Sequence, residues 1–244
     1  MSSPNLPGQE SEPVKDGQRE SEDVSPFSAC VAKFPGMQYK LIIFDFDGTL
    51  ADTFPWFTRV INQVAAKYRF NRIDPERMDT VKAYSARQLL QYLDIPLRKV
   101  PTIAGEMRKR MAEEIETITL FDGIELLLRQ MSASGIKLAL VSSNSPDNIA
   151  RVLGTDILSL FAWLECGVSL FGKVSKLKRV LRKSKIDADE ALFIGDEVRD
   201  IEAAKKAKVA AGAVVWGYNS LEKLKEMNPD ELFLEVDDLL ARLG

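Results

Sequence analysis

Histidine is absent from all 244 residues of this chain. That absence removes Ser-His-Asp triads, Cys-His pairs, histidine zinc sites and histidine general bases from the possible chemistries. Acid/base work therefore falls to carboxylates, lysine, tyrosine or cysteine. Cysteine is almost as scarce. Cys30 and Cys166 are the only two and lie in unlike surroundings, so neither a disulfide framework nor a thiolate metal cluster is expected, and a reducing compartment is the default. Long apolar runs are missing as well: no stretch approaches the roughly 18 apolar residues of a spanning helix. The amino terminus is polar, without the charged segment and apolar run of a secretory signal. The expectation is a soluble, cytoplasmic protein with no membrane partner.

What is present is enough apolar side chain, 45% of the total, to bury the core of one domain or of one domain carrying an insertion. Residues 1–36 stand apart, with five of the eleven prolines and six serines but few large apolar residues, the composition of a disordered tail. In the remainder, basic and acidic residues are equal in number. Nothing in that balance points to nucleic acid as a partner.

From Tyr39 the pattern changes to short apolar runs separated by amphipathic segments, the signature of strands alternating with helices around a parallel sheet. Strands are predicted at Lys40–Phe46, Lys137–Ser142, Ala162–Cys166, Ala191–Ile194 and Ala213–Trp216. Asp122 with Glu125 reads as a capping pair ahead of a helix carrying Ile124, Leu127, Leu128 and Met131. Ser145-Pro146 reads as an N-cap followed by proline in the first turn. Residues 54–119 break the alternation, with helical patterns at Trp56–Tyr68, Ser85–Leu93 and Val100–Ile118 and no convincing strand. The predicted fold is therefore α/β, a Rossmann-like parallel sheet core (37–53 and 120–244) with an inserted α-helical cap domain (54–119). The insertion follows the first strand directly, so its connections rise from the carboxyl edge of the sheet, where open α/β folds bind ligands.

The first strand, Leu41-Ile42-Ile43-Phe44, runs into Asp45-Phe46-Asp47-Gly48-Thr49-Leu50. Alternation puts Asp45 and Asp47 on one side, and burying two carboxylates at a strand end is costly unless a cation or hydrogen bonds compensate. Asp-Gly alone is an ordinary turn signal, but the whole hexapeptide after an apolar strand is more specific than that. A second acidic set, Asp196 and Asp200 in Gly195-Asp196-Glu197-Val198-Arg199-Asp200, closes a later strand, with Asp200 four residues on and thus on the same side of the following helix. Taken alone, acidic residues in a first turn are helix-dipole partners. Together, four carboxylates that converge at parallel strand ends offer the oxygen-only donors and retained waters that Mg²⁺ prefers.

With these motifs the chain resembles the haloacid dehalogenase-like superfamily, in the branch with a helical cap after the first strand, similar to phosphoglycolate phosphatases and β-phosphoglucomutases. The likeness covers roughly residues 39–217 and all four family motifs. It assigns Asp45 and Asp47 to the first motif, Asp45 as nucleophile and Asp47 as general acid/base. It assigns Ser143, the hydroxyl residue directly before Asn144, to the second, over its rival Ser142. Lys173 fills the third by its spacing, with Lys176 as rival, and Asp196 and Asp200 fill the fourth. The resemblance implies Mg²⁺ held by Asp45, the Asp47 carbonyl, Asp196 and Asp200. It also implies stabilisation of the transferring group by Ser143 and Lys173, assisted near Asn144. Asp47 two residues after the nucleophile favours phosphoryl over dehalogenase chemistry. Arg87, at the entry to a cap helix in Tyr84-Ser85-Ala86-Arg87, is a candidate for gripping a substrate anion or else an exposed helix residue. The basic stretch from Lys173 to Lys185 reads as a solvated face around buried Val174, Leu177, Val180 and Leu181. The implied activity is hydrolysis of a small phosphorylated metabolite, phosphoglycolate being one choice. The alternatives are a phosphoryl transferase or mutase and a binding protein without turnover.

Overall fold

The computed structural model describes residues 1–2, 39–167 and 172–243. Every strand and helix named below lies within one compact unit, 33–244. The tail predicted at 1–36 falls, apart from its first two residues, outside the described residues, as does Cys30.

The elements run in the order β1 (Leu41–Phe44), α1 (Phe54–Tyr68), α2 (Met78–Lys82), α3 (Ala86–Tyr92), α4 (Val100–Glu113), α5 (Ile124–Ala133), β2 (Lys137–Val141), α6 (Pro146–Leu158) and β3 (Phe161–Glu165). They continue with α7 (Lys173–Ser184), β4 (Ala191–Gly195), α8 (Val198–Ala207), β5 (Ala210–Val214), α9 (Leu221–Glu226), β6 (Glu231–Phe233) and α10 (Val236–Leu243). The six strands form one sheet in the order β3-β2-β1-β4-β5-β6, and every pairing is parallel. β1 is central and buried on both faces, which explains its uninterrupted apolar run. Its side chains alternate between two cores. Ile42 and Phe44 join the cluster that continues into Trp56, Val60, Ile103 and Met111 of α1 and α4, while Leu41 and Ile43 join Leu177, Val180 and Ile201 of α7 and α8.

Between β1 and β2 the described residues carry helices and no strand of the sheet. Ser85 caps α3 through a reciprocal pair with Gln88, and Ser145 accepts from the Asn148 N–H at the start of α6, as the Ser-Pro signal predicts. Two local predictions need correction. The residue capping α5 is Gly123, with φ of 84°, not Asp122; the turn entering the helix demands a left-handed residue, and glycine adopts it without strain. The fifth strand runs over Ala210–Val214 rather than Ala213–Trp216. Its small residues have poor strand propensity, but Gly212 lies where an added Cβ would come within 3.0 Å of Ile194, so close packing overrides propensity there. β6, next to it, was not predicted from sequence; three residues are too few to show a periodicity.

Candidate active site

Every candidate site residue except Arg87, the candidate for substrate binding, lies at the carboxyl edge of the sheet. After Phe44 the chain makes one more sheet bond, Asp45 N–H to the Ile194 carbonyl (2.9 Å), and then turns sharply. The Phe46 carbonyl accepts from the N–H groups of Thr49, Leu50 and Ala51 (3.3, 3.0 and 3.0 Å). Gly48, at φ of 75°, is required in that turn, because a Cβ there would lie 2.2 Å from the Asp196 Oδ2. The turn drives Phe46 into the core and leaves Asp45 buried, with Asp47 half-buried beyond it.

Asp45, Asp196 and Asp200 converge, one carboxylate oxygen from each lying within 4.8 Å of the others. Lys173, the first residue of α7, is buried and donates to both Asp45 and Asp200. Asp196 accepts from Thr49 Oγ1 (2.8 Å) and from the Tyr218 N–H (2.8 Å), and Asp200 accepts the Glu197 N–H (3.1 Å) as part of the cap of α8. Burial dominates the electrostatics. It raises the Asp45 carboxyl to about 6 against the opposing charge of Lys173. Burial, with Glu197 and Asp200 nearby, also raises Asp196 well above the usual carboxylate range. Burial opposes the charge on Lys173, but Asp200 and Asp45 hold its pKa above the ordinary lysine value. Lys173 thus pairs with two of the three buried carboxylates, and Asp196 is held by neutral donors alone.

Asp47 points the other way. Its Oδ1 accepts from Asn144 Nδ2 (3.0 Å), and it lines a cavity of about 220 Å³ together with Ser143, Asn144, Arg108 and Arg199. Burial, and then the charge of Asp45, push its carboxyl up to about 7, the range suited to exchanging protons near neutral pH. Of the two serines, Ser142 is fully buried and its Oγ accepts the Asn144 N–H (3.0 Å), whereas Ser143 lines the cavity. The two lysines also separate. Lys176 is buried, donating to the Ser142 and Glu165 carbonyls (2.8 and 2.5 Å) at the ends of β2 and β3. Burial lowers its ammonium to about 8. Within the stretch read as a solvated face, Lys176 is therefore a structural tie, and Arg179 and Lys183 pair with the buried Glu165.

Arg87 is exposed on the first turn of α3. It lines a separate cavity with Lys173, Val174 and Arg199, outside the one that holds Asp47. The arginines that do line the Asp47 cavity escaped sequence reasoning. Arg108 of α4 reaches the Ser143 carbonyl (3.5 Å), and Arg199 pairs with Glu197 (2.9 Å). Asn219 also escaped notice. It accepts the Val198 N–H (2.9 Å) and donates to the Lys82 and Tyr84 carbonyls (2.9 and 2.8 Å), tying the end of α2 to the start of α8. An isolated Asn or Arg in a loop or on a helix carries no periodic signal that would mark it. Among the described residues, no helix is long and apolar enough to cross a membrane.

The sequence matches the family model described as haloacid dehalogenase-like hydrolase over residues 42–214. It is 30% identical over 200 residues to a phosphoglycolate phosphatase of Synechococcus elongatus, covering 82% of this chain and 94% of that protein. It is 26% identical over 217 residues to the pyrophosphatase PpaX of Listeria monocytogenes, covering 82% and 94%. The fold superposes on a haloacid dehalogenase-like family hydrolase of Streptococcus pneumoniae with a TM-score of 0.70 at 18% identity, over 85% of this chain and 99% of that one.

Proposed function

Since the chain belongs to the haloacid dehalogenase-like hydrolases, we propose that it is a magnesium-dependent phosphatase that cleaves a small phosphomonoester through an aspartyl phosphate on Asp45. The observation that carries this reading is the pairing of two carboxylates two residues apart with opposite surroundings. Asp45 is buried beside Lys173 and two further carboxylates, while Asp47 faces the cavity with a pKa near neutrality.

The residues present suit Mg²⁺. The donor set is all oxygen: three buried carboxylates converge, and Lys173 pairs with only two of them. Asp45, Asp196, Asp200 and the Asp47 carbonyl would hold the ion, which when bound offsets repulsion between carboxylates and phosphate. Asp45 attacks phosphorus as the bond to the leaving alcohol breaks, and Asp47, protonated, gives its proton to that oxygen. Asp47 then takes a proton from the water that attacks the phosphoryl group, releasing phosphate and restoring Asp45. Lys173 and the Ser143 hydroxyl contact the phosphoryl oxygens where charge is greatest, and Asn144 holds Asp47 in place. Residues 54–119 act as a cap that keeps stray water from the phosphoenzyme. The same reading makes the protein a cytoplasmic enzyme whose partner is a small phosphorylated metabolite.

Phosphate release from a panel of phosphomonoesters, with Mg²⁺ and with chelator, tests the proposal. Turnover should require the metal, and full activity in chelator would refute it. Movement of phosphate to a second hydroxyl without release would instead identify a mutase.

A further inference from the structure

Asn148, in the first turn of α6, is 1% exposed and does not line the cavity that Asp47 faces. Its backbone N–H caps the helix on Ser145 Oγ (3.2 Å). Asparagine is a poor helix former, and a buried carboxamide is unfavourable unless it is hydrogen-bonded. Here both amide hydrogens are used, one on the Arg108 carbonyl of α4 (3.1 Å) and the other on Asn144 Oδ1 (3.1 Å). The Arg108 carbonyl can only accept, so the Asn148 amide can be turned one way only, with its nitrogen toward both partners.

Asn144 is the link to Asp47. Its Oδ1 accepts twice, from the Ser145 N–H (2.8 Å) and from Asn148 Nδ2 (3.1 Å), while its Nδ2 donates to Asp47 Oδ1 (3.0 Å) and to Met111 Sδ (3.0 Å). The last torsion of asparagine is soft, so partners rather than rotamer preference set the plane of the Asn144 amide. The Ser145 N–H settles which end is oxygen, but one bond alone leaves the plane free to swing about it. Asn148 supplies the second bond, and with it the direction in which Nδ2 meets Asp47.

From this chain of contacts we infer that Asn148 is a positioning residue for the proton transfers, acting on Asp47 through Asn144. The inference rests on the phosphatase reading, in which Asp47 gives a proton to the leaving alcohol and takes one from the water of the second step. A general base works only within hydrogen-bond reach of the proton it takes, and a misplacement of roughly 1 Å costs on the order of 100-fold. The alternative is a plain tie between α6 and α4. Arg151, three residues further along α6, makes such a tie: its guanidinium donates to the Ala112 carbonyl of α4 (2.7 Å), and among the described residues it has no bond to Asn144. The two residues therefore separate the two roles.

The probe is p-nitrophenyl phosphate with Mg²⁺, because nitrophenolate leaves without a proton while the second step still needs Asp47 as base. In Asn148→Ala the first turnover should release nitrophenol at the parent's rate. Steady turnover should then fall about 10–100-fold as phosphate accumulates on the protein. Asn148→Ser, which keeps a small polar side chain without the amide, should behave alike and guards against a fold lost to alanine. Added to Asp47→Asn, either change should lower turnover no further, since residues that act through one another are not additive. Arg151→Ala should leave both phases unchanged. A steady rate unchanged in both Asn148 variants, or a first turnover slowed as much as the steady rate, overturns the role of Asn148 while the phosphatase reading stands. So does a further loss on top of Asp47→Asn, or the same signature in Arg151→Ala. A parent protein that hydrolyses no phosphomonoester removes the phosphatase reading and this role with it.

Discussion

Replacing Asp47 with Asn should make the metal-free protein more stable at alkaline pH even as it impairs turnover. In the folded protein burial and the charge of Asp45 raise the Asp47 carboxyl to about 7, against about 3.9 in an unfolded chain. The folded state therefore holds a proton that the unfolded state has lost, and stability falls as pH rises through that window. About three units at 1.36 kcal/mol each gives an upper bound of ~4 kcal/mol above pH 7. Asp47 is half-buried, facing the cavity, so solvent screening reduces this to about 2 kcal/mol. Asn preserves the acceptor that Asn144 Nδ2 bonds at 3.0 Å and removes the charge. In chelator at pH 8, Asp47→Asn should melt roughly 4–8 °C above the parent, at about 2–4 °C per kcal/mol for a chain of this size. At pH 4 the two should nearly coincide. Melting curves by circular dichroism at both pH values decide the matter. A variant no more stable than the parent at pH 8, or equally stabilised at both, would show that Asp47 carries no such electrostatic cost.

Lys176→Met should lower stability by about 1–3 kcal/mol, since the buried Ser142 carbonyl loses its ammonium donor; denaturant titration reads this, and an unchanged midpoint would refute the tie. Gly48→Ala forces a side chain into left-handed backbone and within 2.2 Å of Asp196. It should raise the Mg²⁺ concentration for half-maximal phosphate release by about tenfold or more, and an unchanged requirement would remove Asp196 from the metal set. Mg²⁺ should raise the melting temperature more at pH 8 than at pH 5, because binding requires the deprotonated forms of Asp45, raised to about 6, and Asp196; equal shifts would contradict this.

The order of strand and helix was readable because β1, β2 and β4 are buried on both faces and so appear as unbroken apolar runs. The carboxylates were readable because each comes after such a run at fixed spacing, and the sheet edge brings Asp45, Asp196 and Asp200 together. What escaped depends on contacts between distant segments. Lys176, the rival to Lys173 within a helix face that reads as solvated, owes its burial to where β2 and β3 end, not to its neighbours in sequence. The start of β5 is not legible because Ala210 to Gly212 have little strand propensity, and Gly212 sits close against Ile194 and Phe233. Arg87 drew attention through its loop-to-helix context, whereas Arg108 and Asn219 gain their positions from the approach of α4 to Ser143 and of α2 to the start of α8. The cavity that Asp47 lines had no sequence signature, because much of its lining is also the helical core of 54–119.

The proposed chemistry turns on a covalent bond between Asp45 and phosphorus. In the Asp47→Asn protein, p-nitrophenolate can leave without being protonated, but the water of the second step has lost its base. Mixing this variant with p-nitrophenyl phosphate and Mg²⁺, quenching rapidly in acid and sequencing the modified peptide by mass spectrometry should give a burst of nitrophenol. One phosphoryl group per chain should be found on the peptide carrying Asp45. A burst without an adduct, or an adduct on any other residue, would contradict the assignment of Asp45 as the nucleophile.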